Sequence, residues 1–421
     1  MKILIVGGGG REHALAWRIA NNPSGTRHKI YCAPGNAGMT GVAEPVAIQA
    51  TDVEGLCAFA KRERIEYTIV GMDAPLALGL ADRFASEGLD VFGPKKAAAM
   101  LESSKAYAKR FMKKYGIPTA EYAIFDTYEA ASEYIRKSPM PIVVKADGLA
   151  FGKGALVCKT QEEAEAALRG IMIDKQFGES GNRVVIEKFL TGKETSIMTF
   201  CDGEHIVPMV SAKDYKNAFD GDIGPNTGGM GAVSPSPYYT ENDAMRFEHE
   251  IMLPTLKGIK AEGLDYVGFL YFGLMLTDKG PYVIEYNARF GDPEAQAVLP
   301  RLKTDLLEIC KACNHKSIDK VDIRWDNKES ACICLVSEGY PLKYETGFTI
   351  EGLDRLQKEH NDALVFFAGV RAGDNGFETD GGRVIGITCL DGEGLAARKA
   401  YEAASVLSFA GMRYRTDIGP V

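Results

Sequence analysis

Tyr282-Val283-Ile284-Glu285-Tyr286-Asn287-Ala288-Arg289-Phe290-Gly291-Asp292-Pro293-Glu294 is the stretch on which the reading of this chain turns. Its first six residues read as a strand. In a two-residue repeat Ile284 and Tyr286 share one face while Glu285 and Asn287 share the other. Two hard oxygen ligands spaced this way suit Mg²⁺, with coordination positions left for water and nucleotide phosphates. The charged run Arg289–Glu294 that follows calls for an anionic partner beside a sheet, and Arg289 offers a planar fork for a carboxylate or phosphate.

A second strand, Ile142–Lys145, also ends in a charge, and Gly148, Gly152, Lys153 and Gly154 follow it. The spacing is one residue short of a Walker loop, and a glycine stands where that loop needs a hydroxyl. Ala155–Cys158 is strand-like as well, so strand, glycine loop and strand form a flap able to close over a polyphosphate. Lys145 is then a point charge for the phosphates, or a lysine whose stem lies along a sheet edge.

The first hundred residues alternate strands (Lys2–Val6, Lys29–Cys32, Tyr67–Val70, Val91–Phe92) with helical patterns, which predicts a parallel sheet. Gly7–Gly10 lies between strand and helix, where main-chain amides hold phosphate. A dinucleotide fingerprint fails at its third glycine, where Glu12 or His13 stands, and strand two ends in Asn36 without an acidic residue. Phosphate or sugar phosphate suits the loop better. Further strands are expected near Ser196–Cys201, Val207–Ser211, Gly268–Leu276, Ala331–Val336, Leu364–Ala368 and Val384–Thr388. Helices are expected at Ser103–Tyr115, Gln161–Ile171, Asp243–Glu262, Thr304–Cys313 and Leu395–Phe409.

The chain has 421 residues, 46% of them hydrophobic and 25% charged, with 49 Lys+Arg against 57 Asp+Glu. Such a composition predicts an ordered chain of two to four domains, and the net acidity argues against nucleic-acid or anionic membrane surfaces. No apolar run reaches the ~18 residues of a membrane span, so a cytoplasmic location is expected. Nine scattered cysteines suggest no disulfide framework, and Cys310 and Cys313 read as structural thiols.

The motifs Gly7–Arg11, Lys145–Gly154, Asp222–Gly231 and Arg289–Gln296, with the closing Tyr414–Gly419, resemble the glycinamide ribonucleotide synthetase (phosphoribosylamine–glycine ligase) family of ATP-grasp enzymes. The similarity runs the length of the chain, and Arg289–Gln296 is its most specific string. It implies an α/β (α+β ATP-grasp) architecture with five parts. These are an N-terminal pre-ATP-grasp domain (1–100), a linker helix of the core (101–117), a lid (118–186), a central subdomain (187–323) and a strand-rich C-terminal domain (324–421).

The resemblance also implies roles. Lys105, Lys145, Gly152 and Asn226 would meet ATP phosphates; Glu187, Lys188, Phe189 and Leu190 would form the hinge that reads adenine; Glu194 would take the ribose. Glu285 and Asn287 match the ligands for Mg²⁺ or Mn²⁺. Lys213, Asp214, Gly228, Gly229, Met230, Arg289, Gly291 and Asp292 would line the glycine and acyl-phosphate side. Gly9, Gly10, Asn36 and Pro75 would serve phosphoribosylamine. Lys145, Asp214 and Arg289 are the catalytic candidates.

Three positions depart from the family pattern. Asn217 stands where arginine is usual, with Lys216 beside it as a compensating nucleotide contact; Met72-Asp73 replaces Pro-Glu; and Phe367 replaces a frequent histidine. The implied reaction is ATP-driven amide formation from glycine and 5-phosphoribosylamine through a glycyl phosphate, by a monomer or weak homodimer without nucleic-acid or membrane partners. A different ligase or carboxylase of this fold would lack the Arg289–Gln296 string, and a nucleotide sensor would bind ATP without glycine-dependent turnover.

Overall fold

The computed structural model describes residues 1–150, 153–392 and 394–419. The N-terminal sheet is fully parallel, in the order Glu44–Pro45, Lys29–Pro34, Lys2–Gly7, Tyr67–Val70, Val91–Phe92. Its first strand is apolar on both faces because both are covered. Ile3 and Ile5 enter a core with Leu15 and Ile19, while Leu4 and Val6 pack with Leu56 and Phe59 on the other side.

Residues 118–188 form a four-stranded antiparallel sheet in the order Tyr122–Phe125, Val184–Lys188, Ile142–Ala146, Ala155–Cys158. Helices Tyr128–Lys137 and Gln161–Met172 cover it through Ala131, Ile135, Ala164 and Leu168. The first strand and first helix of this unit are not among the elements expected from the sequence, although the helix is amphipathic, with Ala131, Ser132 and Ile135 on its buried face.

A second antiparallel sheet runs Ile206–Pro208, Lys193–Cys201, Gly268–Thr277, Gly280–Asn287. Period-two alternation sorts its side chains. Leu270, Phe272 and Leu274 pack beneath helices 96–115 and 241–261, whereas Phe269 and Tyr271 join the core of the N-terminal sheet. The N-terminal unit and the central sheet therefore share one core, in which Cys310 and Cys313 are also buried.

The strand Gly280–Asn287 corrects one detail of the sequence reading. Its register slips opposite Gly273/Leu274, which pair with Glu285 and Val283, so Ile284 is an extra, unpaired residue. Such a bulge breaks strict alternation. Val283, not Ile284, accompanies Tyr286 into the core, and Glu285 and Asn287 remain on the opposite face. The helix expected at Ser103–Tyr115 is found at Lys105–Tyr115, and a further helix that was not expected, Lys96–Ser103, precedes it. Ser104 is extended between them, and its hydroxyl caps the second by accepting from Tyr107 N at 3.1 Å.

The C-terminal sheet contains Leu364–Phe367, Arg383–Asp391 and Glu329–Ser337, and it continues into Gly231–Ser234 and Lys213–Asp214. Strands from the stretch 187–323 thus complete the sheet formed by the stretch 324–421. No helix among the described residues is long and apolar enough to cross a membrane.

Candidate active site where three sheets meet

Strand ends from the antiparallel sheets converge with the N-terminal glycine loop. Lys145, at the end of Ile142–Ala146, lies 2.9 Å from Glu187 Oε1. Lys109, from the helix Lys105–Tyr115, lies 2.8 Å from the other carboxylate oxygen. It also donates to Thr119 Oγ1 (2.6 Å), which donates to Val283 O (2.6 Å). All three charged groups are buried. Burial pushes the Glu187 carboxyl up, but Lys145 and Lys109 outweigh it and hold the group below its ordinary range. Two ammoniums share this one carboxylate, and burial brings Lys109 down to about 8. Glu187 thus has a side-chain task besides the hinge role expected of it: it fixes Lys145. Lys188, Phe189 and Leu190 follow at the strand's end, partly or fully exposed.

Glu285 sits among cations drawn from four separate elements. Burial raises its carboxyl, yet Lys216, Lys145, Lys105 and Arg289 together hold it low. Lys105 Nζ donates to Gly148 O at 2.9 Å, and burial lowers its affinity for a proton. Lys216 lies 3.0 Å from Glu194 Oε2. Although burial opposes it, Glu194, Tyr271, Glu285 and Asp214 keep Lys216 firmly protonated. Lys216 therefore faces the site, whereas the Asn217 amide is spent inside its own hairpin on Gly224 O (3.1 Å). Asn226 is exposed at the end of that hairpin. Arg415, buried, clamps the same hairpin by pairing with Asp417 (2.7 Å) and Asp222 (2.9 Å) and donating to Asn217 O.

Arg289 is held by Glu102 (3.0 Å), Asn287 Oδ1 (3.1 Å) and Phe290 O (3.1 Å). Burial raises the Glu102 carboxyl to about 7 despite this partner, with Asp73 adding to the rise. The Met72-Asp73 departure thus keeps a carboxylate, on a shorter side chain, in the field of Arg289, at the head of a short helix whose Pro75 is buried. Glu102 belongs to the helix Lys96–Ser103 that the sequence reading did not resolve. Its only sequence signal is its place just ahead of Ser103-Ser104-Lys105.

Burial, then the neighbouring Glu294, drives Asp214 well above the usual carboxylate range. Its Oδ1 is buried and has no partner among the described residues. Glu294 accepts from Ser196 Oγ at 2.8 Å. Gly229 has φ +107°, and a Cβ there would stand 2.3 Å from Pro293 Cδ and 2.7 Å from Asp214 Oδ1, so only glycine fits. A Cβ on Gly291 would stand 2.5 Å from Glu294 Oε2, the far end of a side chain. Lys213 places its ammonium 3.9 Å from the centre of the Tyr215 ring and 5.1 Å from that of Tyr238. Met230 turns inward, packing with Ala297, Cys332 and Cys334, so its side chain does not line the site.

The N-terminal loop closes the arrangement. Gly9 N donates to Glu12 Oε2 (2.7 Å), Arg11 Nε donates to Glu12 Oε1 (2.6 Å), and Arg11 Nη1 reaches Phe290 O (3.2 Å). A Cβ on Gly10 would stand 2.5 Å from Gln296 Nε2, and one on Gly9 3.6 Å from Asp292 Oδ2. Asn36 donates to Gly8 O (2.8 Å) and Phe367 O (3.0 Å), so both amide hydrogens hold the loop in place. Gly152, expected on the phosphate flap, lies outside the described residues. Next to it, Lys153 donates to Pro341 O at 2.8 Å.

His13 is buried beneath Phe367, the residue that replaces a frequent histidine, with ring centres 5.9 Å apart. The Phe367 amide donates to its Nδ1 (2.9 Å), which requires that nitrogen to be unprotonated, and burial lowers the imidazole to about 4. The unfolded chain protonates His13 near 6.5, so between there and about 4 it binds the extra proton. This contribution is fully present above pH 6.5 and falls away by up to about 3 kcal/mol as the pH drops. His13→Gln is expected to flatten that part of the stability–pH curve; an unchanged slope in urea unfolding would count against it.

Three family descriptions match consecutive parts of the chain. They are the N domain of phosphoribosylglycinamide synthetase at residues 1–102, its ATP-grasp (A) domain at 103–295 and its C domain at 330–420. The chain is 45% identical to a protein from Clostridium acetobutylicum named phosphoribosylamine–glycine ligase, across 100% of this chain and 99% of that one. A protein of the same name from Vibrio vulnificus is 48% identical, over 100% and 98%. Among solved structures, phosphoribosylamine–glycine ligase from Thermotoga maritima superposes with a TM-score of 0.86 at 35% identity, over 99% of this chain and 100% of that one. The biotin carboxylase domain of the Hydrogenobacter thermophilus 2-oxoglutarate carboxylase shares the fold, with a TM-score of 0.72 at 17% identity over 98% and 91%.

Proposed function

This chain belongs to the phosphoribosylglycinamide synthetase family and ligates glycine to phosphoribosylamine in purine biosynthesis; we propose that it does so through a glycyl phosphate. The γ-phosphoryl of ATP passes to the glycine carboxylate, and ADP departs. The amine of 5-phosphoribosylamine then attacks the acyl carbon, the bond to the phosphate oxygen breaks, and the amine gives up a proton. Activation is needed because a carboxylate is a poor electrophile.

The supporting observation is the gathering of Lys105, Lys145 and Lys216 around Glu285, on the face that also carries Asn287. A carboxylate and an amide oxygen are a hard donor pair suited to Mg²⁺, with Mn²⁺ as a substitute. When bound, the ion neutralises charge on the nucleotide phosphates. The lysines hold the tail of ATP in line with the acceptor, so catalysis rests on positioning and charge compensation, with no side-chain nucleophile. Arg289, fixed by Glu102 and Asn287, faces the glycine carboxylate. The buried, unpaired Asp214 Oδ1 is available to the amino group of glycine. Gly9 and Gly10 offer the amide-rich loop for the sugar phosphate.

ADP release measured with ATP, Mg²⁺ and phosphoribosylamine, with and without glycine, tests the reading. Strict dependence on glycine is expected. ATP turnover indifferent to glycine would overturn it.

A further inference from the structure

We propose that Arg383, from the C-terminal domain, is a positioning residue that aims the Asp292 carboxylate at the N-terminal glycine loop and so sets the affinity for phosphoribosylamine. The inference rests on the reaction given above and goes beyond it by giving the C-terminal domain a part in substrate recognition.

The geometry is specific. The strand Arg383–Asp391 carries a register slip against Glu329–Ser337, where Leu335 pairs with Ile385 and Val336 with Arg383, leaving Val384 as an extra residue. In a regular strand Arg383 would share a face with Ile385. Val384, Ile385 and Ile387 instead all enter the C-terminal core, and the bulge turns Arg383 away from it. Arg383 Nη2 meets Asp292 Oδ2 at 2.9 Å, and Nη1 donates to Asp292 O at 2.9 Å and to Gly228 O, with Gly229 O at 3.5 Å.

One planar fork thus ties together the Asp292 turn and the Gly228-Gly229 loop. Tyr340, also from this domain, accepts from Gly228 N at 2.9 Å. The second oxygen of Asp292 accepts from Gln296 (2.8 Å), so the carboxylate cannot swing. The oxygen that Arg383 grips is the same Oδ2 that stands opposite Gly9, where a Cβ would lie 3.6 Å away. A carboxylate oxygen fixed beside the sugar-phosphate loop is placed to accept from the attacking amine. Burial alone would raise Asp292, but Arg383 and then Arg11 keep it ionised and therefore an acceptor.

Lysine retains the charge at this position but loses the fork. Arg383→Lys is therefore expected to raise KM for phosphoribosylamine about ten-fold, and Arg383→Ala up to about a hundred-fold, as for a lost charge-assisted pair. KM for ATP should stay within about two-fold of the unmodified protein in both. Combining Arg383→Lys with Asp292→Asn should add little to the single Asp292→Asn variant.

An unchanged KM for the amine in a folded Arg383→Lys protein would overturn the assignment. So would a parallel rise in KM for ATP, the mark of a general packing defect. If the alanine variant does not fold, the lysine variant decides. Failure of the unmodified protein to release ADP in response to glycine would instead count against the reaction itself.

Discussion

Glu285→Gln is expected to lower kcat for glycine-dependent ADP release about 10²–10³-fold while leaving the urea unfolding midpoint nearly unchanged. Gln has the same shape, so packing at the end of the strand is preserved. The lost negative charge is the one that Lys216, Lys145, Lys105 and Arg289 face. These cations remain, and they still attract a polyphosphate, so KM for ATP should move far less than kcat. What disappears is the charged half of the proposed metal pair, and with it the compensation of charge on the transferring phosphoryl group. Full turnover in the variant would remove Glu285 from the reaction.

Glu187→Gln should show the opposite profile, with stability as the principal loss. Lys109 and Lys145 are 2% and 4% exposed, and among the described residues their only ion-pair partner is the Glu187 carboxylate. Neutralising it strands two positive charges in a buried site, which is expected to cost about 3–5 kcal/mol in the unfolding free energy. Glu194→Gln is the control. It breaks the pair with Lys216, but the Glu194 side chain is 45% exposed, and the expected loss is under about 1 kcal/mol. Equal losses in the two variants would show that burial of the Lys109–Glu187–Lys145 group does not govern its contribution.

Much of the site was legible because the chemistry lies in short contiguous strings. Lys145 with its glycine loop, Glu285 with Asn287, and Arg289 through Gln296 each sit on one strand end, where a two-residue period and charge type suffice to suggest a role. Four of the five strands of the N-terminal sheet were equally readable, since both faces are buried and the apolar runs are nearly uninterrupted; the edge strand Glu44–Pro45, with no apolar run, was not. Weakly patterned pieces were not. The helix Lys96–Ser103, rich in alanine and followed at once by another helix, was not expected, and nothing local marks Glu102 on it as the partner of Arg289. The Ile284 bulge was likewise silent, because nothing in Val283-Ile284-Glu285 tells which residue of the strand goes unpaired.

The sequence by itself determined the kinds of groups available and the family resemblance of their order: lysines at strand and helix ends, a carboxylate–amide pair, a glycine loop and an arginine fork. Periodicity and motif spacing are local properties, and they carry that much. Only the tertiary structure decided which charge meets which. Lys109 lies 78 residues before Glu187 in the chain, and Arg383 lies 91 residues after Asp292, yet each pair is in direct contact. Buried charges must find partners wherever the packed core places them, and those partners come from elements far apart in the chain, so no local pattern could announce them.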